Sequence, residues 1–426
     1  MSGKIVDNLG RSSGLIKQGS AGANVTYETT AKSSNFTAVA GVGYFVDTSS
    51  SAITATLPAS PDAGDAVAFK DYTATFATNA LTLGRNSSKI QGLEKNSTID
   101  TIRASVVLVY VDSTEGWVFV EESNVADLGI KYVTATGGTI TTSGDYKVHT
   151  FTSSGTFSVS CGGSACGSNS VAYVVVAGGG AGGTGGCGVG GGGGGGGAGG
   201  YREGKASSDP YTASPLAASS NLPVSASPGS YPVTVGAGAA ANGAAGTTGS
   251  TGSNSVFSPI TSAGGGGGGK TNSAGGNGGS GGGNGYCGPG TGGQGNTPPV
   301  SPPQGNNGAQ YTSGNGGGGG GGATAAGSTT PGVTTGGAGG AGATSSITGS
   351  PVARAGGGGG SSNGTGGSGG AGGGGDAGSG PPYVDGDASG TANTGGGGGG
   401  DYGSSGSQEG GAGGSGVVII RYKFQN

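Results

Sequence analysis

The chain has 426 residues, of which 113 are glycine and only 9% are charged, and its formal net charge is −4. With no basic cluster, this argues against nucleic acid or an anionic membrane as the main partner. The apolar runs, about seven residues at most, are too short to span a bilayer, and the opening eight residues lack the apolar core of a secretory signal.

The composition is uneven. Nineteen glycines precede residue 171 and 94 follow it, whereas residues 1–150 hold 11 of the 17 Lys and Arg and 14 of the 21 Asp and Glu. Residues 1–20 are polar, with Asn8-Leu9-Gly10 and Ser12-Ser13-Gly14 as turn signals, and carry too little apolar surface to fold alone. Such a segment orders by docking on an assembly partner, through Ile5, Val6, Leu15 and Ile16, or stays a frayed terminus; composition fits both.

Residues 21–127 read as a β-sandwich or barrel-like domain. Seven short runs, at 36–40, 43–47, 52–57, 66–69, 80–83, 106–111 and 116–120, are rich in β-branched and aromatic residues and bounded by Gly, Pro, Asn, Asp or Ser. No stretch holds a 3.6-residue period, so an all-β fold is expected. Ser113-Thr114-Glu115-Gly116 reads as a hairpin, and Trp117 as packing. In 57–65 two prolines stiffen a turn that Gly64 reverses.

Residues 128–426 read as a glycine-rich domain. Strands within 131–177 and at 417–424 frame an insert, 178–416, with pure glycine runs at 190–197, 264–269, 316–322, 356–360, 372–375 and 395–400. Both framing segments are strongly apolar and would be exposed unless they pair. The insert is no collagen, which needs glycine strictly every third residue and abundant proline. A flexible linker and a packed bundle of polyglycine II helices compete for it. Ordering a glycine costs upward of about 1 kcal/mol and a hydrogen bond returns about 0.5–1.5, so a lone run stays disordered and only packed runs can order. The absence of charge, the apolar ends and the strand-like pieces at 233–235 and 256–257 favour packing.

Four cysteines form no disulfide scaffold, and Cys161 and Cys166 lack the further ligands of a zinc site. His149, the single histidine, sits in a strand-like run and reads as structural. Asp385 and Asp387 are too few for calcium. No metal, cofactor or catalytic constellation is expected. Of the 17 prolines, 15 lie beyond residue 200, and nine of the 15 tyrosines beyond 170, clustered between glycine runs. Tyr-, Ser-, Gly- and Asn-rich loops on a rigid base suit recognition. Candidate receptor contacts are Tyr201, Tyr211, Tyr286, Tyr311, Tyr383, Asp401 and Tyr402, with polar turns as the plainer reading of each.

Two resemblances bear on function. The wording of 38–49, 53–65, 76–86 and 89–92 resembles a small β-domain of tail-fibre-type virion proteins of tailed bacteriophages, those of marine cyanobacterial hosts above all; residues 6–17 resemble the start of such proteins. The order of 149–159, 174–180, 231–238, 252–265 and 413–422 resembles the glycine-rich domain of many phage tail proteins. These resemblances imply a virion protein assembled in the host cytoplasm: a tail fibre or receptor-binding adhesin, bound to other virion proteins and to a host surface protein or polysaccharide. The alternative is a purely structural capsid-fibre, decoration or tail component. A non-viral extracellular scaffold and an enzyme fit less well. A homotrimer is expected for a fibre, a monomer for some tip adhesins.

Overall fold

The computed structural model describes residues 25–124, 132–163, 168–186, 190–241, 243–330, 332, 334–380, 389–403 and 409–425. The segment 1–20, with Ile5, Val6, Leu15 and Ile16, lies outside them, as do Tyr383, Asp385 and Asp387. Among the described residues there is no helix, and strands fall into several sheets with no closed barrel. The chain divides into two units, 1–129 and 130–426.

In the first unit the strands are β1 (Thr26–Lys32), β2 (Phe36–Thr37), β3 (Val42–Val46), β4 (Ile53–Thr56), β5 (Ala66–Asp71), β6 (Leu81–Gly84), β7 (Ser97–Ile99), β8 (Ala104–Tyr110) and β9 (Trp117–Asn124). They form two sheets, β1-β3-β5-β8-β9 and β2-β4-β6-β7. From β1 to β6 the chain alternates between the sheets, and the pairs within each are parallel. Three coils therefore stack like a short solenoid, and β7, β8 and β9 finish it with antiparallel pairs. In-register apolar ladders, such as Ile53-Leu81-Ile99, fill the space between the sheets around buried Phe69, Phe76 and Trp117. Gly64 takes φ +95° in the turn after β4, and Gly116, at φ +73°, ends the β8–β9 hairpin against the Lys89 carbonyl. Buried Asp71 organises the next loop: its carboxylate accepts from the backbone N–H of Thr75, Phe76 and Arg103.

The second unit contains β10 (Val133–Thr136), β11 (Thr139–Ser143), β12 (Tyr146–Phe151), β13 (Gly155–Gly162), β14 (Ser170–Val176), β15 (Tyr201–Gly204), β16 (Ala217–Ala218), β17 (Leu222–Pro223), β18 (Ser230–Thr234), β19 (Ser255–Phe257), β20 (Ile260–Ser262), β21 (Ala343–Ser345), β22 (Val352–Arg354) and β23 (Val417–Lys423). The two apolar segments that bracket the insert pair directly. β14 lies antiparallel to β23, from Ala172 opposite Arg421 to Val176 opposite Val417. Their alternate residues serve two cores, which is why both read as nearly continuous apolar runs. Val171, Tyr173, Val175, Val418, Ile420 and Tyr422 meet Phe157 and Phe257 of the sheet β10-β13-β18-β19-β20. Val174, Val176, Val417 and Ile419 face Ala198, Tyr201 and Ile347 of the insert.

Between them the insert is a bundle of extended glycine chains. The segment 192–200 donates in three rows, each repeating every third residue. Gly192, Gly195 and Ala198 donate to Asn315, Gly318 and Gly321; Gly193, Gly196 and Gly199 to Asp401, Gly398 and Gly395; Gly194, Gly197 and Gly200 to Gly269, Gly266 and Ala263. Its carbonyls accept in three more directions, from 280–286, from 358–361 and from 177–183. The three-residue period is that of polyglycine II. The six neighbours also bond one to the next: Gly265 to Gly178, Gly266 to Ser280, Gly318 to Asn284, Gly320 to Gly358, Gly400 to Gly359 and Gly398 to Gly180. One chain thus sits at the centre of a closed ring of six.

Glycine is required here by contact. A Cβ on Gly194 would fall 2.1 Å from the Gly283 carbonyl oxygen, and one on Gly195 2.1 Å from that of Gly358. Further out the demand relaxes. In 366–371 the pattern is Gly-Gly-Ser-Gly-Gly-Ala, and Ser368 and Ala371 are exposed while Gly367 and Gly370 are buried.

His149 on β12 fastens the clasp. Its Nδ1 lies 2.7 Å from the Gly137 carbonyl and its Nε2 3.1 Å from the Tyr422 hydroxyl on β23. The carbonyl only accepts, so Nδ1–H donates, and in the neutral ring Nε2 accepts from the Tyr422 hydroxyl. Burial lowers its pKa, against the raising effect of the Gly137 carbonyl. The unfolded chain therefore binds this proton more readily, and the stability His149 contributes is complete above about pH 6.5 and lost as pH falls through that value towards the folded pKa. Thermal midpoints measured against pH should decline below neutrality in the wild type, and less so in His149→Leu. A second expectation concerns the bundle: Gly194→Ala should destabilise by about 1–3 kcal/mol or more, and Ser368→Ala should be neutral, in denaturant titrations of the two variants.

Candidate functional site

The ends of the central chain differ. At one end Gly200 and Tyr201 run into β15 of the clasp sheet. The other end, roughly 30 Å away at about 3.1 Å per residue, is surrounded by loops. Tyr286 N–H donates to the Gly192 carbonyl, Gly192 N–H to Asn315, and Ser361 N–H to the Gly193 carbonyl. Thr271 Oγ1 bridges Gly186 N–H and the Gly191 carbonyl. The loops following 269, 286, 311 and 361 therefore converge on one tip.

Tyr286 and Tyr311 form its aromatic feature, two half-buried rings with centroids 5.6 Å apart in an edge-on arrangement. The Tyr286 ring lies against bare backbone: a Cβ on Gly191 would sit 2.4 Å from Tyr286 Cδ1. Tyr311 donates from its hydroxyl to the Gly314 carbonyl, 3.0 Å away. Cys287 is exposed beside them and takes φ +51°. Both phenol pKa values are raised, for Tyr286 by the neighbouring Cys287 thiol first and for Tyr311 by burial first. At neutral pH both are hydroxyl donors. Exposed Lys270 adds a cation at this end.

The loop is pinned from beneath. Fully buried Asn284 accepts from Gly275 N–H at 3.0 Å, and its amide faces the carbonyls of Gly288, Pro289 and Gly290 at 3.1–3.4 Å. Buried Ser361 accepts from Gly193 N–H at 2.8 Å. The sequence signal for Asn284, Ser361 and Lys270 is only that each abuts a glycine run, and Thr271 lies one residue further on.

The remaining candidates among the described residues, Tyr201, Tyr211, Asp401 and Tyr402, are buried. Tyr402 is buried at the tip and donates to the Gly190 carbonyl at 2.6 Å, and Asp401 is buried with its carbonyl shared by Gly185 and Gly193. Tyr201 and Tyr211 lie at the clasp end, 1% and 8% exposed. Burial raises the pKa of both, with the Glu203 carboxylate as the next cause. Glu203 is itself buried, and accepts from the Tyr201 hydroxyl at 2.8 Å, the Ser214 N–H at 2.9 Å and the Ser345 hydroxyl at 2.6 Å. This knot ties the loop after β15 and the hairpin β21–β22 to the clasp sheet. The cause is amphipathic: a tyrosine ring beside a glycine run fills the space that glycine leaves open, and the hydroxyls of Tyr201 and Tyr402 find a carboxylate and a carbonyl. Among the described residues no three His, Cys, Asp or Glu side chains gather to hold a metal.

Glu203→Ala would leave three buried donors unpaired, at about 1–3 kcal/mol for each such group. A loss of at least about 2 kcal/mol in chemical denaturation is expected, and a loss near zero would remove Glu203 from this role.

The sequence model of one family, described as a glycine-rich domain, matches residues 151–423, more than half of the chain. A comparison with curated proteins finds no match. The match runs from β12 through the whole bundle to the last residue of β23, the strand that closes the clasp, and so the chain belongs to the glycine-rich domain family.

Proposed function

We propose that this protein is a bacteriophage virion fibre protein, a tail fibre or receptor-binding adhesin that attaches the particle to its host. One observation carries the reading: a glycine bundle closed at one end by a β-clasp holds aromatic and polar loops together at its other end. Binding loops are commonly set on a rigid base, because ordering costs already met by the scaffold are not charged to the binding step. Rings such as Tyr286 and Tyr311 give contact area with few rotatable bonds, and the oxygen of the Tyr311 hydroxyl, whose proton goes to Gly314, can accept from either a protein or a polysaccharide. The phage assignment is supported by the resemblances in 38–92 and 149–422. In this reading residues 1–20 dock on other virion proteins, with Ile5, Val6, Leu15 and Ile16 as contacts, and the assembled form is a homotrimer in the virion.

The test replaces both tip tyrosines. Virions carrying Tyr286→Ser with Tyr311→Ser should adsorb to host cells at least about tenfold more slowly, the loss typical of an aromatic binding anchor, with the purified protein's thermal midpoint retained. Unchanged adsorption would leave the protein without a receptor role at this tip.

A further inference from the structure

The first unit has a feature that attachment through the glycine bundle does not use. Its two sheets are not closed along one side. There the edge strand β7 of one sheet faces β8 and the edge strand β9 of the other across an open cavity of about 400 Å³, within the usual size range of small-molecule sites. The floor is the edge of the sandwich core: buried Ile99 and Val106 and half-buried Phe119. The rim carries two carboxylates, Asp100 and Glu122, and hydroxyls that include Thr101.

A β-bulge sets this arrangement. Leu108 pairs with Phe119, but Val107 pairs with Glu121, so Val120 is the extra residue. Past the bulge Glu122 stands opposite Val106, a core residue, and shares its inward face. Without the bulge Glu121 would take that place. Bulges at sheet edges commonly re-aim a side chain in this way. Neither Asp100 nor Glu122 forms an ion pair or hydrogen bond with another described residue, and no Lys or Arg is among the described residues lining the cavity. Both carboxylates are exposed, so they hold solvated acceptor oxygens at the mouth of an apolar slot.

We propose that this cavity binds a neutral hexose unit of a polysaccharide. A pyranose presents an apolar C–H face, which suits Phe119 and Ile99, and vicinal hydroxyls that a carboxylate accepts in pairs. A metal ion would make no use of the apolar floor and would want more than two carboxylates. An anionic sugar would be repelled by both.

Saturation-transfer NMR on the full chain, with glucose, galactose, mannose, lactose and maltose as probes at millimolar concentration, tests this. Transfer to the ring protons of at least one of these sugars is expected. Asp100→Asn and Glu122→Gln should each weaken binding about tenfold and the double variant abolish it, with thermal midpoints unchanged because both side chains are exposed. No transfer from the wild type to any of the sugars would overturn the proposal. So would binding that persists in the double variant, or saturation by Ca²⁺ or ethanolamine alone. The tip is kept apart by carrying out these measurements in the Tyr286→Ser, Tyr311→Ser background, where the transfer should persist and should still depend on Asp100 and Glu122; transfer lost with the tyrosines alone would overturn the proposal.

Discussion

The second unit depends on how closely two polypeptide backbones can approach when neither carries a Cβ. In the bundle, carbonyl oxygens sit about where a side chain would begin, near 2 Å from an ideal Cβ at Gly179, Gly193, Gly194 and Gly397. That approach lets each amide bond sideways to a different chain, and the three-residue turn spreads the bonds evenly around the axis. Segment 192–200 is consequently bonded on all sides. Its long uninterrupted glycine run reflects the absence of any outward face.

Order in such a bundle is collective. A glycine gives up more conformational freedom than any other residue, and one net hydrogen bond does not offset that. Burial of the chain ends adds what the bundle lacks. The β14–β23 pair holds both ends of the insert together and gives each face of the clasp an apolar core. Some polar side chains within the bundle are matched as closely as the amides. Gln304, 1% exposed, accepts from Ala263 N–H at 2.8 Å and donates to the Pro298 carbonyl at 2.9 Å. Tyr201 and Tyr402 obey the same rule, and burial of the ring places Tyr211 with them in the interior.

Much of this is legible in the amino-acid order. The apolar runs 171–177 and 417–424 require partners, and they are each other's. Five of the six pure glycine runs, 190–197, 264–269, 316–322, 356–360 and 395–400, prove to be the central chain and members of its ring. The three-residue period was also present in the letters, in Gly336-Gly337-Ala338-Gly339-Gly340-Ala341 and Gly366-Gly367-Ser368-Gly369-Gly370-Ala371. It was hidden because only peripheral chains need it; full burial erases the third letter. The parallel coils of the first unit were not legible, because alternation within a strand reports its faces and says nothing of its neighbour's direction. Nor was the tip: Thr271 gains its role from bonds to Gly186 and Gly191, far away in sequence, which local pattern does not carry.

The bundle joins a clasp at one end of the second unit to Tyr286, Cys287 and Tyr311 at the other, and the attachment proposal rests on its being ordered. Its most direct test is amide hydrogen exchange across 192–200 at neutral pH. The account predicts strong protection at every amide of this segment, since each donates to a neighbouring chain, with the exposed Gly290 turn exchanging freely. Exchange across 192–200 at the rate of an unstructured glycine peptide would contradict it and leave the insert a tether.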